Sequence, residues 1–311
     1  MAAKIGILSS QKGYHVRALE EAIRSRGCQP AFFNITRLAG WIGDQPALQV
    51  RGERIEDCQA LLVRIIPAGS LEQIIFRMDS LHCLENHGVQ VVNSASGIER
   101  SVDKYYTLFL LNDAGILTPR TLVTEDFDMA LAACRDMGDV VVKPLFGSEG
   151  KGMVRITDEE TAYRVLRAWE LNRYIYYIQE YLPHAHEDIR AFVVGGQVVA
   201  AMLRRGTGWK TNFSQGAEVR SIELNAEMET LVLKAVRLLN LDYAGVDLIS
   251  AEDGKNYVVE INSIPGWRGL QQTTAQGIAE RIIDHVLKKI SRRDAKKNIA
   301  AAAQRAAEKE N

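Results

Sequence analysis

The residues best placed to do chemistry in this chain are two carboxylates on a short hairpin. They lie in YAGVDLISAEDGKNYVVEINS, residues 243–263, where Asp253-Gly254 is a turn signal between two apolar, β-branched runs. A two-residue turn there sets Glu252 opposite Lys255, Leu248 opposite Val259 and Val246 opposite Ile261, so one face is apolar throughout. On the other face Asp247 falls opposite Glu260, and Gly245 opposite Asn262. Like charges directly opposite one another are destabilising. Two carboxylates ~5 Å apart at an effective dielectric near 20 repel by roughly 3 kcal/mol. A sequence that builds this pair needs a compensating cation. Two carboxylates and an amide oxygen are hard ligands of the kind that suit Mg²⁺, which also binds nucleotide phosphates. The competing reading is a solvent-facing pair tolerated at a sheet edge; the flanking apolar pattern favours the metal.

A second stretch points to phosphate handling. VVKPLFGSEGKGMVRI, residues 141–156, sets three glycines between lysines. It fails the P-loop pattern G-x-x-x-x-G-K-[ST], because Leu145 stands where the first glycine belongs and Gly152 replaces the hydroxyl that would hold Mg²⁺. The valines at 140–142 and Met153–Ile156 read as strands on both sides, so the shape is strand, glycine loop, strand. Such a hairpin tip can lie over a polyphosphate and offer backbone N–H groups. Taken alone, it is equally an ordinary flexible hairpin.

Composition narrows the classes. With 311 residues, 47% apolar and 25% charged, the sequence supports two or three globular lobes rather than disorder. A net charge of −1 argues against nucleic acid as the main partner. The scattered cysteines (Cys28, Cys58, Cys83, Cys134), with no C-x-x-C, predict reduced thiols and a cytoplasmic location. No signal peptide is read at the start, and no apolar run reaches the roughly 18 residues of a membrane span.

The elements that must position these residues follow from periodicity. Strands are predicted at Ile5–Leu8, Ala31–Ile35, Leu61–Ile66 and Val89–Val92, alternating with helices at Tyr14–Arg26 and Leu71–Asn86. That alternation implies a small parallel α/β lobe over residues 1–95. A helix over Asp103–Ala114 follows, then an extended piece from Pro119 and a helix to Met137 capped by Thr124. Beyond the glycine hairpin come a helix over Asp158–Asn172 and a strand over Tyr174–Gln179. The remainder is mostly strands: Asp188–Val194 and Gln197–Leu203 about a Gly195-Gly196 turn, then the carboxylate hairpin, with helices over Ala226–Asn240 and Ala275–Ile290. Residues 291–311, rich in Ala, Lys and Arg, read as a frayed helix or disorder with a solvated basic run.

In this order the motifs resemble the ATP-grasp superfamily, and more narrowly its RimK-type amino-acid ligases. The resemblance runs from about residue 60 to 290 and rests on DKYYTLFLLNDAGILTPRT (103–121), VVKPLFGSEGKG (141–152), IQEYLP (178–183), EDIRAFVVGGQVVAAMLRR (187–205), KTNFSQGA (210–217), AGVDLI (244–249) and VVEINSIPGW (258–267). Each is weak alone; seven in family order are specific. The resemblance implies an α/β fold with α+β lobes: a pre-ATP-grasp lobe (1–95), a linker helix (96–114), a small lobe with a glycine lid (115–182), a large lobe with the metal site (183–290) and the tail.

The resemblance also implies roles. Lys104 and Lys143 would contact ATP phosphates under a lid containing Gly147, Ser148, Gly150 and Gly152. Glu180, Tyr181 and Leu182 would read adenine, largely by backbone, and Asp188 would bind the ribose end. Lys210, Thr211 and Asn212 would lie by the phosphates. Asp247, Glu260 and Asn262 would hold Mg²⁺ or Mn²⁺, two ions in all. Arg190 and Arg204 would be the catalytic guanidinium groups beside the reacting phosphate and carboxylate, anions that a planar fork suits. Lys151 is read as accessory or solvent-facing, and Arg64 and Pro67 fit the non-catalytic N-terminal lobe.

The chain departs from the ribosomal-protein ligase type at Arg205–Trp209, about two residues shorter, at SQGA, and at Trp267-Arg268, all bordering the amino-acid and acceptor sites. The expected partners are an amino acid, L-glutamate, and a carboxylate-bearing acceptor, with no nucleic acid and no membrane; a homo-oligomer fits the family. The broad NSIPGWRGLQ border favours a small cofactor of the tetrahydromethanopterin or another one-carbon type. Glutamylation of a peptide C-terminus, a phosphotransferase on the same scaffold, and a nucleotide-binding regulator are the alternatives.

Overall fold

The structure is a computed structural model. It describes residues 2–310, leaving out 44–46, 148, 149, 212, 214 and 215, and the backbone alone for 296–298 and 300–310. The chain forms two compact units, one of Met1–Ile98, Gly266–Arg268 and Gln276–Asn311, the other of Glu99–Pro265 and Gly269–Ala275.

The first unit is built on a parallel sheet. Its strands are β1 (Lys4–Ser9), β2 (Gln29–Asn34), β6 (Ala60–Val63) and β7 (Gln90–Val92), in the order β2-β1-β6-β7. Helices α1 (Tyr14–Ser25) and α2 (Leu71–Asn86) make the crossovers. Ala60–Val63 is buried along its whole length, which is why it reads as a continuous apolar run rather than an alternating one. Ser70 caps α2 with a reciprocal capping box to Gln73. The pattern did not predict an antiparallel sheet of β3 (Leu38–Trp41), β4 (Ala47–Val50) and β5 (Glu53–Arg54). Its strands are short and half exposed, too brief for a period-2 signal.

Helix α9 runs from Ile278 to Glu310, helical through the stretch expected to fray. Ile278, Ile282, Ile283, Val286 and Ile290 are buried along one side. Arg26 of α1 forks onto Asp284 (2.9 and 3.1 Å), and Arg293 donates to the carbonyls of Gln59 and Gly88 at 2.8 Å each. Arg293 therefore belongs to the packing of this unit, not to a solvated basic run.

His15, in the first turn of α1, is partly buried, and burial together with the Arg64 and Arg268 charges pushes its imidazole down to about 4. An unfolded histidine titrates near 6.5, so the unfolded chain takes up a proton the folded one refuses as the pH falls from about 6.5 towards 4. The His15 contribution is intact above that window and lost within it. Thermal melts of His15→Asn between pH 7 and 4.5 should show a shallower acid decline than wild type; parallel declines would place the acid sensitivity elsewhere.

The second unit contains two antiparallel sheets. After α3 (Ala95–Val102), which continues from the first unit, comes α4 (Lys104–Asp113), so the expected linker helix is two helices. One sheet has the order β10-β9-β11-β8, from β8 (Thr121–Thr124), β9 (Val140–Val142), β10 (Val154–Ile156) and β11 (Tyr176–Glu180). Helices α5 (Phe127–Met137) and α6 (Glu159–Leu171) cover it, with Leu131, Val140, Val142, Leu166 and Ile178 in the shared core. The cap of α5 is Asp126, not Thr124: Thr124 ends β8 and its hydroxyl accepts from the Asp126 N–H.

The larger sheet has the order β14-β13-β12-β15-β16: β12 (Glu187–Val194), β13 (Gln197–Arg205), β14 (Glu218–Ser221), β15 (Tyr243–Ser250) and β16 (Asn256–Asn262). Helix α7 (Ala226–Leu238), capped by Asn225, packs with α4 on its apolar face, where Ile189, Ala191, Val193, Val246, Leu248, Val258 and Ile261 are buried. Each fully buried Leu, Ile or Val is worth about 1.5–3 kcal/mol, so this face holds the strands in register. Short α8 (Arg268–Gln271) follows.

Candidate active site

Strand alternation writes the site onto the other face of the large sheet. Since β12 buries Ile189 and Ala191 beneath it, Asp188 and Arg190 point the opposite way. Arg204 lies opposite Asp188 across β13, Asp247 opposite Arg190 across β15, and Glu260 opposite Asp247 across β16. Five charged residues thus form one patch: two guanidinium groups and three carboxylates. The pairing of Asp247 with Glu260, and of Gly245 with Asn262, is the register the sequence predicted. Beyond Asp247 the register differs. Leu248 pairs with Val258 rather than Val259, across a bulge. The bulge admits one extra residue, so buried positions on β16 are three apart (Val258 and Ile261), and Val259 joins Glu260 along the cleft.

The cation that offsets Asp247 comes first from the protein. Arg190 grips it through Nε and Nη2 (the latter 2.6 Å from Oδ2), and Arg204 reaches Oδ1 at 3.0 Å. Burial alone would raise the Asp247 carboxyl, but the two guanidinium groups hold it below the usual carboxylate range. Arg204 also forks onto Asp188 at 2.6 and 2.5 Å. Asp188, expected at the ribose, is committed to this pair while still lining the cleft. The sequence called for a compensating cation and favoured a metal; the non-local pairing of β12 with both β13 and β15 supplies two arginines the hairpin alone could not show.

Glu260 has no ion pair or hydrogen bond among the described residues, and it faces the cleft opposite Asp247. With Asn262 on the same strand face two residues on, the open carboxylate beside Asp247 fits a hard divalent cation that keeps phosphate and water as its other ligands. The donor set is too small for an all-protein cage: no group of three or more His, Cys, Asp or Glu suited to a metal occurs among the described residues.

Across the cleft stands the glycine hairpin. Val142 pairs with Val154 and Val140 with Ile156, giving the predicted strand–loop–strand. Gly150 and Gly152 take positive φ (68° and 75°), where a side chain would strain the loop. Lys104 Nζ donates to the carbonyls of Leu145 and Gly147 at 2.9 Å each, pinning the start of the loop, while Lys210 Nζ lies 3.4 Å from the Gly150 carbonyl. Lys143 is buried; its Nζ donates to Gln179 Oε1 (2.8 Å) and sits 5.1 Å from the Tyr177 ring centroid. Desolvation pushes Lys143 down to about 8, against the pull of Glu260. Burial likewise lowers Lys104. Lys151 is exposed at the edge of the cleft.

At the other end of the cleft are Glu180, Tyr181 and Leu182. The Glu180 carboxylate accepts from the Arg120 N–H (2.7 Å), the Tyr181 N–H donates to Asp139 (2.9 Å), and the Arg155 guanidinium lies 3.5 Å from the Tyr181 ring centroid. Leu182 lines the cleft, and its N–H makes no hydrogen bond among the described residues. Among the lining residues that sequence reasoning missed, two make side-chain hydrogen bonds there. Gln179 orients Lys143, and His184, buried, bonds through Nδ1 to the Leu182 carbonyl at 2.7 Å. Both flank the hinge motif, but no periodicity marks a single Gln or His as cleft-facing. Thr211 lines the cleft; Ser148 and Asn212 lie outside the described residues. The cleft spans about 940 Å³ including space open to solvent, room for a nucleotide.

A family model for the RimK-like ATP-grasp domain matches residues 101–286, and one for the RimK pre-ATP-grasp domain matches 3–98. The chain belongs to the RimK-like ATP-grasp family. Among curated relatives of this RimK-like protein, the tetrahydromethanopterin:alpha-L-glutamate ligase of Methanococcus maripaludis is 33% identical over 289 residues, covering 91% of this chain and 98% of that one. The enzyme of the same name from Methanocaldococcus jannaschii is 40% identical over 219 residues, covering 68% and 75%. Of solved structures, the ATP-grasp ligase PsnB with its minimal precursor aligns with a TM-score of 0.74 at 23% identity, covering 93% and 99% of the two chains. The RimK domain protein of Sphaerobacter thermophilus aligns at 0.73 and 22%, covering 91% and 99%. Both show the ATP-grasp fold.

Proposed function

We propose that this RimK-like protein is an ATP-dependent ligase that joins the amino group of L-glutamate to a carboxylate of a small one-carbon coenzyme of the tetrahydromethanopterin type, releasing ADP and phosphate. The observation that carries the reading is the cleft itself: buried Lys143 and half-buried Lys104 facing the Asp247–Glu260 pair, with arginines 190 and 204 in the same patch. Likeness along nearly the whole chain to tetrahydromethanopterin:alpha-L-glutamate ligases supports the substrate choice.

In this reading the triphosphate lies beneath the glycine loop, with Lys143 and Lys104 as fixed cations and the backbone of Glu180–Leu182 meeting the base. Asp247, Glu260 and Asn262 hold Mg²⁺, or Mn²⁺ in its place, as one ion or two; the metal supplies charge neutralisation at the phosphates. The acceptor carboxylate attacks the γ-phosphorus, its oxygen forming the new P–O bond as the bond to ADP breaks. The glutamate amine then attacks the acyl carbon and phosphate leaves, the amine's proton passing to solvent or phosphate. The protein forms no covalent bond; it positions groups and neutralises charge. Loop closure over residues 146–152 would keep water from the acyl phosphate. The reading includes a cytoplasmic setting. Among the described residues no helix is long and apolar enough to cross a membrane, and all four cysteines are free thiols.

ADP release measured with tetrahydromethanopterin and a panel of amino acids tests the reaction. Release should require acceptor and L-glutamate together, with a product heavier by one glutamyl residue. Release without any amine would make the protein a phosphotransferase instead.

A further inference from the structure

The sheet face that carries Lys143 also holds a line of polar side chains running away from the lysine. In the order β9-β11-β8, Gln179 pairs with Val141 on one side and with Thr121 on the other. Tyr177, two residues before Gln179, lies on the same face of β11, and its carbonyl accepts from the Lys143 N–H at 3.1 Å. Lys143, Tyr177, Gln179 and Thr121 therefore share one face of this sheet. Val140, Val142 and Ile178 alternate with them and fill the core on the other face.

Three hydrogen bonds join the line end to end. Lys143 Nζ donates to Gln179 Oε1 at 2.8 Å, Gln179 Nε2 donates to Thr121 Oγ1 at 2.9 Å, and the Thr121 hydroxyl donates to the Pro119 carbonyl at 2.9 Å. The two ends fix the direction of the whole line, because an ammonium can only donate and a carbonyl can only accept. Between them the hydroxyl gives its proton to Pro119 and takes the amide N–H, so the Gln179 carboxamide turns its oxygen to the lysine. Tyr177 lies alongside: its ring centroid is 5.1 Å from Nζ and its hydroxyl 3.5 Å from Gln179 Nε2. Lys143, Tyr177 and Gln179 are all buried. A carboxamide turned the wrong way would set N–H against ammonium in a place shielded from water, and an unmet donor there is costly. Thr121 makes no hydrogen bond to Lys143 among the described residues, yet it decides which end of the amide the lysine meets.

We propose that Thr121 and Gln179 form a positioning relay that holds the Lys143 ammonium in place for the nucleotide phosphates. A lysine is a compact charge on a flexible stem, and a fixed acceptor converts it into a placed one. The bond to Gln179 spends one of the three ammonium donors and leaves two for a phosphate. The phosphate role of Lys143 rests on the ligase reading; the relay rests on the sheet register and the three bonds. Thr121 acts only through the Gln179 amide, one strand away from the lysine it serves.

The test is binding of Mg²⁺–ATP to the full-length protein by titration calorimetry, with melting temperatures recorded to check folding. Thr121→Val keeps the shape of the side chain and removes the hydroxyl. It should weaken ATP binding by about threefold to tenfold, the worth of one hydrogen bond, and Thr121→Ser should restore wild-type affinity. In a Lys143→Met background Thr121→Val should cost less than about twofold, since the relay then has no cation to place. Wild-type affinity in Thr121→Val, a Thr121→Ser variant as weak as Thr121→Val, or an equal loss with and without Lys143 overturns the relay. Should Thr121→Val fail to fold, Gln179→Met carries the same comparison: it removes the acceptor, and its loss of affinity must likewise depend on Lys143. Glutamate-dependent ADP release together with unchanged ATP binding in Thr121→Val would sink the relay alone. The expected losses in a protein that shows no glutamate-dependent ADP release would uphold the relay and sink the ligase reading.

Discussion

Lys143→Met is expected to raise the melting temperature of the nucleotide-free protein while abolishing ligation. Lys143 is buried and its ammonium is pushed down to about 8 by desolvation, so at neutral pH the fold carries a charge it would shed more easily than the unfolded chain. The sign follows from linkage. Between pH 8 and 10.5 the unfolded chain holds more protons at this site, so the stability cost is full below about 8 and relieved as the pH rises. Methionine fills similar volume without the charge and should stabilise the free protein by about 1–3 kcal/mol at pH 7. Melting curves should show the advantage shrinking towards pH 10. For wild type, ATP affinity should fall as the pH climbs through about 8, because the bound phosphates need the ammonium. A variant that melts below wild type at pH 7, or still turns over, would refute the placement of Lys143 as a phosphate cation kept at a cost to stability.

The two opposed carboxylates should separate in a second experiment. Glu260→Gln removes a charge that makes no ion pair or hydrogen bond among the described residues and acts on Lys143 and Lys104 only through space, so its melting temperature should fall only slightly. Its Mn²⁺ binding, read by electron paramagnetic resonance, should be lost and turnover should fall by about 100-fold or more. Asp247→Asn should also lose metal and turnover, but it strips Arg190 and Arg204 of a shared buried partner. Leaving buried charges unpaired costs about 3–5 kcal/mol, so this variant should melt markedly lower. Equal melting temperatures for the two variants would contradict the charge arrangement; retained Mn²⁺ binding in Glu260→Gln would move the metal elsewhere.

Arg190 and Arg204 present the same contrast. The family resemblance places them beside the reacting groups, and the structure places them on Asp247 and Asp188. Each guanidinium satisfies a carboxylate that, on the proposed reading, a metal or nucleotide would engage. A cationic side chain and a divalent ion can thus serve the same anion in turn. This is possible because the exchange keeps Asp247 neutralised and avoids the cost of a bare buried charge.

The sequence by itself determined those features that depend on short-range periodicity. Alternation over Tyr243–Ser250 and Asn256–Asn262 put Asp247 and Glu260 on one face, and the Asp253-Gly254 turn signal set them opposite each other; the pair holds because the turn is one residue wider than expected, with Ser250 opposite Asn256, and the bulge restores the predicted register. Valines on either side of the glycines fixed a hairpin rather than a P-loop helix, while the preference for Lys143 over Lys151 came from the family resemblance and not from periodicity. Only the tertiary structure decided which strands adjoin. Arg190 and Asp247 are 57 residues apart and meet because β12 pairs with β15. Local pattern could not supply that contact, since apolar faces tell a strand to be buried but not beside which neighbour. The bulge that brings Val259 to the cleft was hidden for a related reason: alternation assumes an unbroken ladder, and packing of Val258 and Ile261 broke it. The contact of His15 with Trp267, 252 residues away, was hidden in the same way, because nothing local says which distant segment packs on a helix start.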